Sequence, residues 1–159
     1  MQQAWRAFLG SPGSGHGVQI YADVGELADS VAAYLAAGWQ LDEPALLIVT
    51  PEHLEVFHER LDTLGWSADH LTDEGLLVTA DAEAMLESIT VDGSPSPKLF
   101  EQVVGGLLDE IGGEGRHTRV FGEMVDLLAH RGRLEDAIAL EELWTTAAGR
   151  RNFSLLCGY

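Results

Sequence analysis

Lysine occurs once in this chain, at Lys98, and cysteine once, at Cys157. A single cysteine excludes an internal disulfide and suits a reducing cytoplasm. Nine basic residues face 26 acidic ones, a formal charge of -17. That balance repels phosphate backbones, so no direct nucleic-acid partner is expected. No apolar run approaches spanning length, and Met1 to Gly15 lacks a basic segment followed by an apolar core, so neither membrane insertion nor secretion is expected. A phosphate-binding loop is missing as well. The turn after the first expected strand reads Tyr21-Ala-Asp-Val-Gly-Glu-Leu27, with acids where phosphates would rest and no Gly-Lys-Ser/Thr. No serine or cysteine sits in a glycine-flanked elbow. Of six histidines, only His53 and His58 lie close together, five apart and without a supporting acid or cysteine at a recognised offset, so spacing indicates no metal site and no cofactor.

What the chain does have is a core: 46% hydrophobic residues over 159 positions, enough for one ordinary domain. Residues 1–15 hold a short apolar patch, Trp5 to Leu9, then a Gly/Ser/Pro tract, and read as a flexible lead-in outside a domain spanning 16–159. Strands are expected at 17–21, 45–49, 76–79, 119–122 and 153–157. The run Ala45 to Val49 is continuously apolar, as in a strand buried on both faces. Helical spacing places Leu27, Val31, Tyr34 and Leu35 on one face, and Leu54, Phe57, Leu61 and Leu64 on another. Asp23 with Glu26 suggests a capping box, and Thr50-Pro51 an N-cap followed by a first-turn proline. A helix is expected over 81–89, a breaker-rich loop over 92–97 and a long helix over 98–111. Leu134, Ile138, Leu143 and Trp144 are expected to cover the sheet. Alternating strands and helices predict an α/β fold: a mainly parallel sheet of about five strands with helices on both faces.

Parallel strands gather ligands at their carboxyl ends. That rim comprises Tyr21-Ala-Asp23, Thr50-Pro-Glu-His53, Ala80-Asp81, Gly122-Glu-Met124 and Cys157-Gly-Tyr159. Glu123, at a strand-to-helix junction, suits a general base, a magnesium ligand or a ligand's hydrogen-bond acceptor; it equally suits an acid stabilised in a helix's first turn. Tyr21 offers a phenol at the correct end, for ligand contact or packing. His16 lies at the opposite end of its strand, where a strand-entry or core role fits. Glu141 and Glu142 are read as structural partners of Arg119, Arg131 or Arg133 rather than a catalytic pair. Tyr159 follows the last strand at once, with nothing to cover that edge, and this reads as a domain cut from a longer protein or as a short protein ending on its last strand.

His16-Gly-Val-Gln-Ile-Tyr21, Phe121-Gly-Glu-Met-Val125, Leu140-Glu-Glu-Leu-Trp144 and Phe153-Ser-Leu-Leu-Cys-Gly-Tyr159 together resemble the MEDS domain, the methanogen/methylotroph DcmR-type sensory domain, from His16 to Tyr159. The resemblance implies a three-layer RecA-like domain related to KaiC ATPases but with a degraded phosphate loop. It further implies a non-catalytic input module that senses a small molecule, a hydrocarbon derivative by the family's reading. Its expected partner is an output regulator in cis or trans, such as a histidine kinase, an anti-sigma factor or a DNA-binding domain. Tyr21, Asp23, Glu123, Met124, Cys157 and Tyr159 are the ligand-binding candidates on this view, supported by His16, Gly122, Glu141 and Trp144. Two other readings stay open: a ligand-independent interaction or homo-oligomerisation module, and a divergent nucleotide-binding enzyme using Glu123.

Overall fold

The computed structural model describes residues 1–159. In chain order the elements are α1 (Gln2–Gly10), β1 (His16–Gln19), α2 (Val24–Trp39), β2 (Ala45–Val49), α3 (Pro51–Thr63), α4 (Ala68–Asp73), β3 (Leu77–Asp81) and α5 (Ala82–Ser88). A small hairpin of β4 (Thr90–Val91) and β5 (Ser94–Pro95) precedes α6 (Pro97–Phe100), a π turn (Glu101–Gly105) and α7 (Gly106–Gly112). Then come β6 (Thr118–Gly122), α8 (Met124–His130), α9 (Leu134–Ala148) and β7 (Phe153–Gly158). The main sheet is parallel throughout, in the order β1-β7-β6-β2-β3.

Strand alternation divides the core in two. Ala45, Leu47 and Val49 face α1 to α4, while Leu46 and Ile48 face α5 to α9. Every residue of β2, β6 and β7 is buried, as in strands covered on both faces, including the polar Thr118 and Arg119 of β6 and Ser154 of β7. The expected stripe of α2 is buried at Leu27, Val31, Tyr34 and Leu35. In α3 the stripe is partial: Phe57 and Leu61 are buried, but Leu64, its C-cap, is exposed.

Five details differ from the sequence reading. Residues 2–10 are a helix rather than a flexible lead-in. Trp5 stacks on Phe8, Phe8 on Tyr34, and Leu9 is buried. The tie that sequence hides is Arg119, 1% exposed in β6, which donates to the carbonyls of Leu9, Gly10 and Tyr34 and to Glu43. A buried guanidinium needs acceptors, and α1 supplies two of them. Arg119 therefore does not pair with Glu141 or Glu142; nor do Arg131 and Arg133, which pair with Glu83 and Asp136.

α9 is also rotated from expectation. Ala137, Leu140, Trp144 and Ala147 face the sheet, and Leu134 and Ile138 are more than half exposed. Trp144 fills the gap between Phe100 and Phe153 at 5.1 and 6.0 Å. Helix α4, capped by Ser67, was not anticipated, and the 92–97 loop contains half of the β4–β5 hairpin.

Candidate functional site

After β2 the chain crosses to the face carrying α3, whereas after the adjacent β6 it crosses to the face carrying α8. The two carboxyl ends diverge, which opens a crevice at the point where such sheets hold ligands. Glu123 sits in it. Its N–H continues the ladder to the Ile48 carbonyl at 3.1 Å, so its side chain is delivered beside the start of α3. There Oε2 accepts from the Thr50 N–H at 2.8 Å and Oε1 is hydrogen-bonded to His53 Nδ1. At 2% exposure this is a buried carboxylate with partners for both oxygens, one of them at a helix N-terminus whose dipole favours negative charge. Thr50 holds the N-cap position of α3 without a side-chain cap bond.

His53 is oriented further by Phe57 and by Tyr21, whose ring stands edge-on at a centroid distance of 6.0 Å. Burial, with the negative charges of Asp126 and Glu123 behind it, pushes the Tyr21 phenol up to about 12, so it remains a donor at ordinary pH. Asp126, in the first turn of α8, has its carboxyl raised by burial, with His130 opposing that shift.

Tyr21 and Tyr159 continue the β1–β7 ladder beyond the strands: Tyr21 N–H donates to the Tyr159 carbonyl at 3.0 Å, and Tyr159 N–H to the Gln19 carbonyl at 2.9 Å. The Tyr159 hydroxyl turns back over α9 and donates to Glu141 Oε1. Burial and that carboxylate hold the phenol well above its ordinary range. His16 reaches Glu141 from β1, Nδ1 to Oε2, at 3.6 Å. Cys157 lies beneath, 1% exposed, its thiol pushed up by burial and by Glu141. It is therefore a poor nucleophile.

Beside this pair of tyrosines, the exposed face of α9 and the adjoining face of α8 form an open groove of about 430 Å³. Val125, Ala129, Leu134, Ala137 and Ile138 make most of its wall, and Glu141 and Tyr159 furnish polar groups. The groove exists because α9 turns Leu134 and Ile138 outward.

The structure thus gathers the sequence candidates into two neighbouring clusters. Glu123 and Tyr21 join His53 and Thr50; Tyr159, Cys157, His16 and Glu141 form the other. Three candidates have structural work instead. Asp23 is exposed and caps α2 through the Gly25 N–H at 2.5 Å, while Met124 and Trp144 are core. Gly122 ends β6, and a Cβ there would make only ordinary contacts with Trp144 and Leu155. Sequence reasoning put His53 on the rim but not against Glu123, and it passed over Asp126; only the β2–β6 pairing shows either.

Parallel strands, helices on both faces and a rim crevice define a three-layer RecA-like α/β domain. The fold is shared with a KaiC-like protein from the hyperthermophilic archaeon Pyrococcus horikoshii OT3, with a TM-score of 0.58 and 13% sequence identity over 90% of this chain. The chain spans 59% of that protein's length. No curated protein sequence matches it. The chain belongs to the MEDS family, the MEthanogen/methylotroph, DcmR Sensory domain, which it matches over residues 15–159. MEDS is a family of sensory domains.

Proposed function

We propose that the domain senses a small, largely apolar molecule with one hydrogen-bonding group, of the hydrocarbon-derivative class, and transmits its binding to an output partner without catalysis. The observation that carries this is the open groove of α8 and α9, lined mostly by apolar side chains, with Glu141, Glu142, Thr145 and Tyr159 as its polar groups. Apolar walls with a few convergent polar groups are the pattern of small-molecule sites. Tyr21 and the Nε2 of His53, whose Nδ1 is committed to Glu123, belong to the neighbouring rim cluster and could offer further polar contacts to a ligand reaching beyond the groove.

Chemistry argues against a nucleotide. Glu123, Asp126 and Glu141 border the rim, and the turn after β1 has no lysine to neutralise phosphates. The one cysteine, Cys157, is a poor nucleophile, buried with its thiol pushed up by that burial. A histidine kinase, an anti-sigma factor or a DNA-binding domain remains the partner proposed from the family resemblance. Signalling to it requires the ligand to prefer one of two domain conformations.

A test is two-dimensional amide NMR of the chain with a panel of short alcohols, haloalkanes and amines. Shifts confined to α8, α9, Tyr21 and Tyr159 support the reading. Their absence across the panel, or shifts produced only by ATP with magnesium, removes it. A second reading has its own observation: β1 is a sheet edge with Val18 and Ile20 exposed and no charged residue from His16 to Tyr21. Such an edge favours strand pairing with another chain.

A further inference from the structure

Three residues that sequence spacing keeps far apart converge on one point between β1, β7 and α9. His16, Glu141 and Cys157 each present a ligand-type atom, an imidazole nitrogen, a carboxylate oxygen and a thiol sulfur, and these atoms lie within 4.8 Å of one another. Tetrahedral zinc with bonds of about 2.0–2.3 Å holds its donors about 3.3–3.8 Å apart. The gap to be closed is therefore at most about 1.5 Å. His16, on an exposed edge strand, is the group free to close it.

We propose that His16, Glu141 and Cys157 bind a single borderline-soft divalent metal ion, zinc(II) by preference. The ligand set is mixed: a thiolate selects against magnesium and calcium, an imidazole suits zinc, and a carboxylate completes three protein ligands. Three protein ligands leave a fourth position for water or another small donor. Glu141 also lines the apolar groove, which puts that position next to it.

The surroundings resemble those of a built site. Glu141 Oε2 faces His16 Nδ1, while Oε1 receives the Tyr159 hydroxyl, so the carboxylate's orientation is fixed by a group that need not touch the metal. Cys157 is held rigidly in β7, in register with Val18 of β1. Binding exchanges the thiol proton for the metal: the S–H bond breaks, a sulfur–metal bond forms, and one proton passes to solvent. No electron transfer is involved. The inference stands independently of the sensory reading, since a metal can bind here whether or not the groove holds an organic ligand.

The test is titration of cobalt(II) into the reduced, chelator-treated full chain, followed by absorption spectroscopy. The expected result is a thiolate-to-cobalt charge-transfer band with visible bands of a four-coordinate centre, saturating at one equivalent and erased by zinc. Cys157→Ser should abolish the charge-transfer band. His16→Asn and Glu141→Gln should each weaken cobalt affinity at least tenfold, and Tyr159→Phe by about tenfold. His16 is exposed, so His16→Asn folds and decides the matter if the Cys157 variant does not. Cobalt bound without a thiolate band, or a band unchanged in His16→Asn, overturns the proposal.

Discussion

Replacing Glu123 tests whether its carboxylate joins the ends of β2 and β6. In Glu123→Ala the Thr50 N–H and His53 Nδ1 both lose their acceptor. A buried donor left without a partner costs about 1–3 kcal/mol. Thr50 and His53 are only partly buried, so water recovers part of this, and the sum is about 3 kcal/mol. For a domain of this size each kcal/mol lowers Tm by about 2–4 °C, which places the variant about 6–12 °C below wild type. Glu123→Gln keeps an oxygen for Thr50 and loses the charge-assisted bond to His53, a loss of about 1 kcal/mol and about 2–4 °C. Scanning calorimetry on the two variants measures both numbers, and the order matters as much as the size. A Glu123→Ala protein melting within about 2 °C of wild type, or a glutamine variant as damaged as the alanine one, would refute the buried, doubly bonded carboxylate.

Other consequences are equally direct. A Cβ at Gly38 would lie 2.6 Å from the Arg119 Cδ; Gly38→Ala should lose about 2 kcal/mol despite its better helix propensity, and the loss should vanish in an Arg119→Met background, measured by a double-mutant cycle. Hydrogen bonds from Arg151 hold the Glu101 and Asp109 carboxyls below their ordinary range. Groups lowered by folding stabilise above their unfolded pKa and lose that contribution as pH falls through the folded one, so Arg151→Met should reduce stability at neutral pH and flatten the decline below about pH 4, read from denaturant midpoints against pH. Ile138→Lys, on a side chain already 61% exposed, should leave Tm within about 1 °C while removing small-molecule shifts in the groove.

The strands and their burial were legible because β2 is a continuous apolar run and β7 is interrupted only by Ser154, and a parallel sheet follows from strands alternating with helices. Sequence order could not show that β6 lies beside β2, and so could not pair Glu123 with Thr50 and His53. The helical rotation of α9 was misjudged because Leu134 and Ile138 outweigh Ala137 and Ala147 in any count of hydrophobicity. Leu140 and Trp144 fix the buried face, which carries the alanines inward with them and leaves Leu134 and Ile138 to line the groove. Residues 1–15 carry linker-like composition, yet α1 is held by a buried arginine more than a hundred residues away. His16, Glu141 and Cys157 were noted one at a time; their convergence is a property of the fold and not of any spacing.

The most direct measurement of the central claim is native mass spectrometry of wild type and Ile138→Lys after incubation with the panel of alcohols, haloalkanes and amines. The account predicts a single small-molecule adduct on wild type and none on the variant. Bare chain across the whole panel, or equal adducts on both proteins, would contradict a ligand site in the α8–α9 groove.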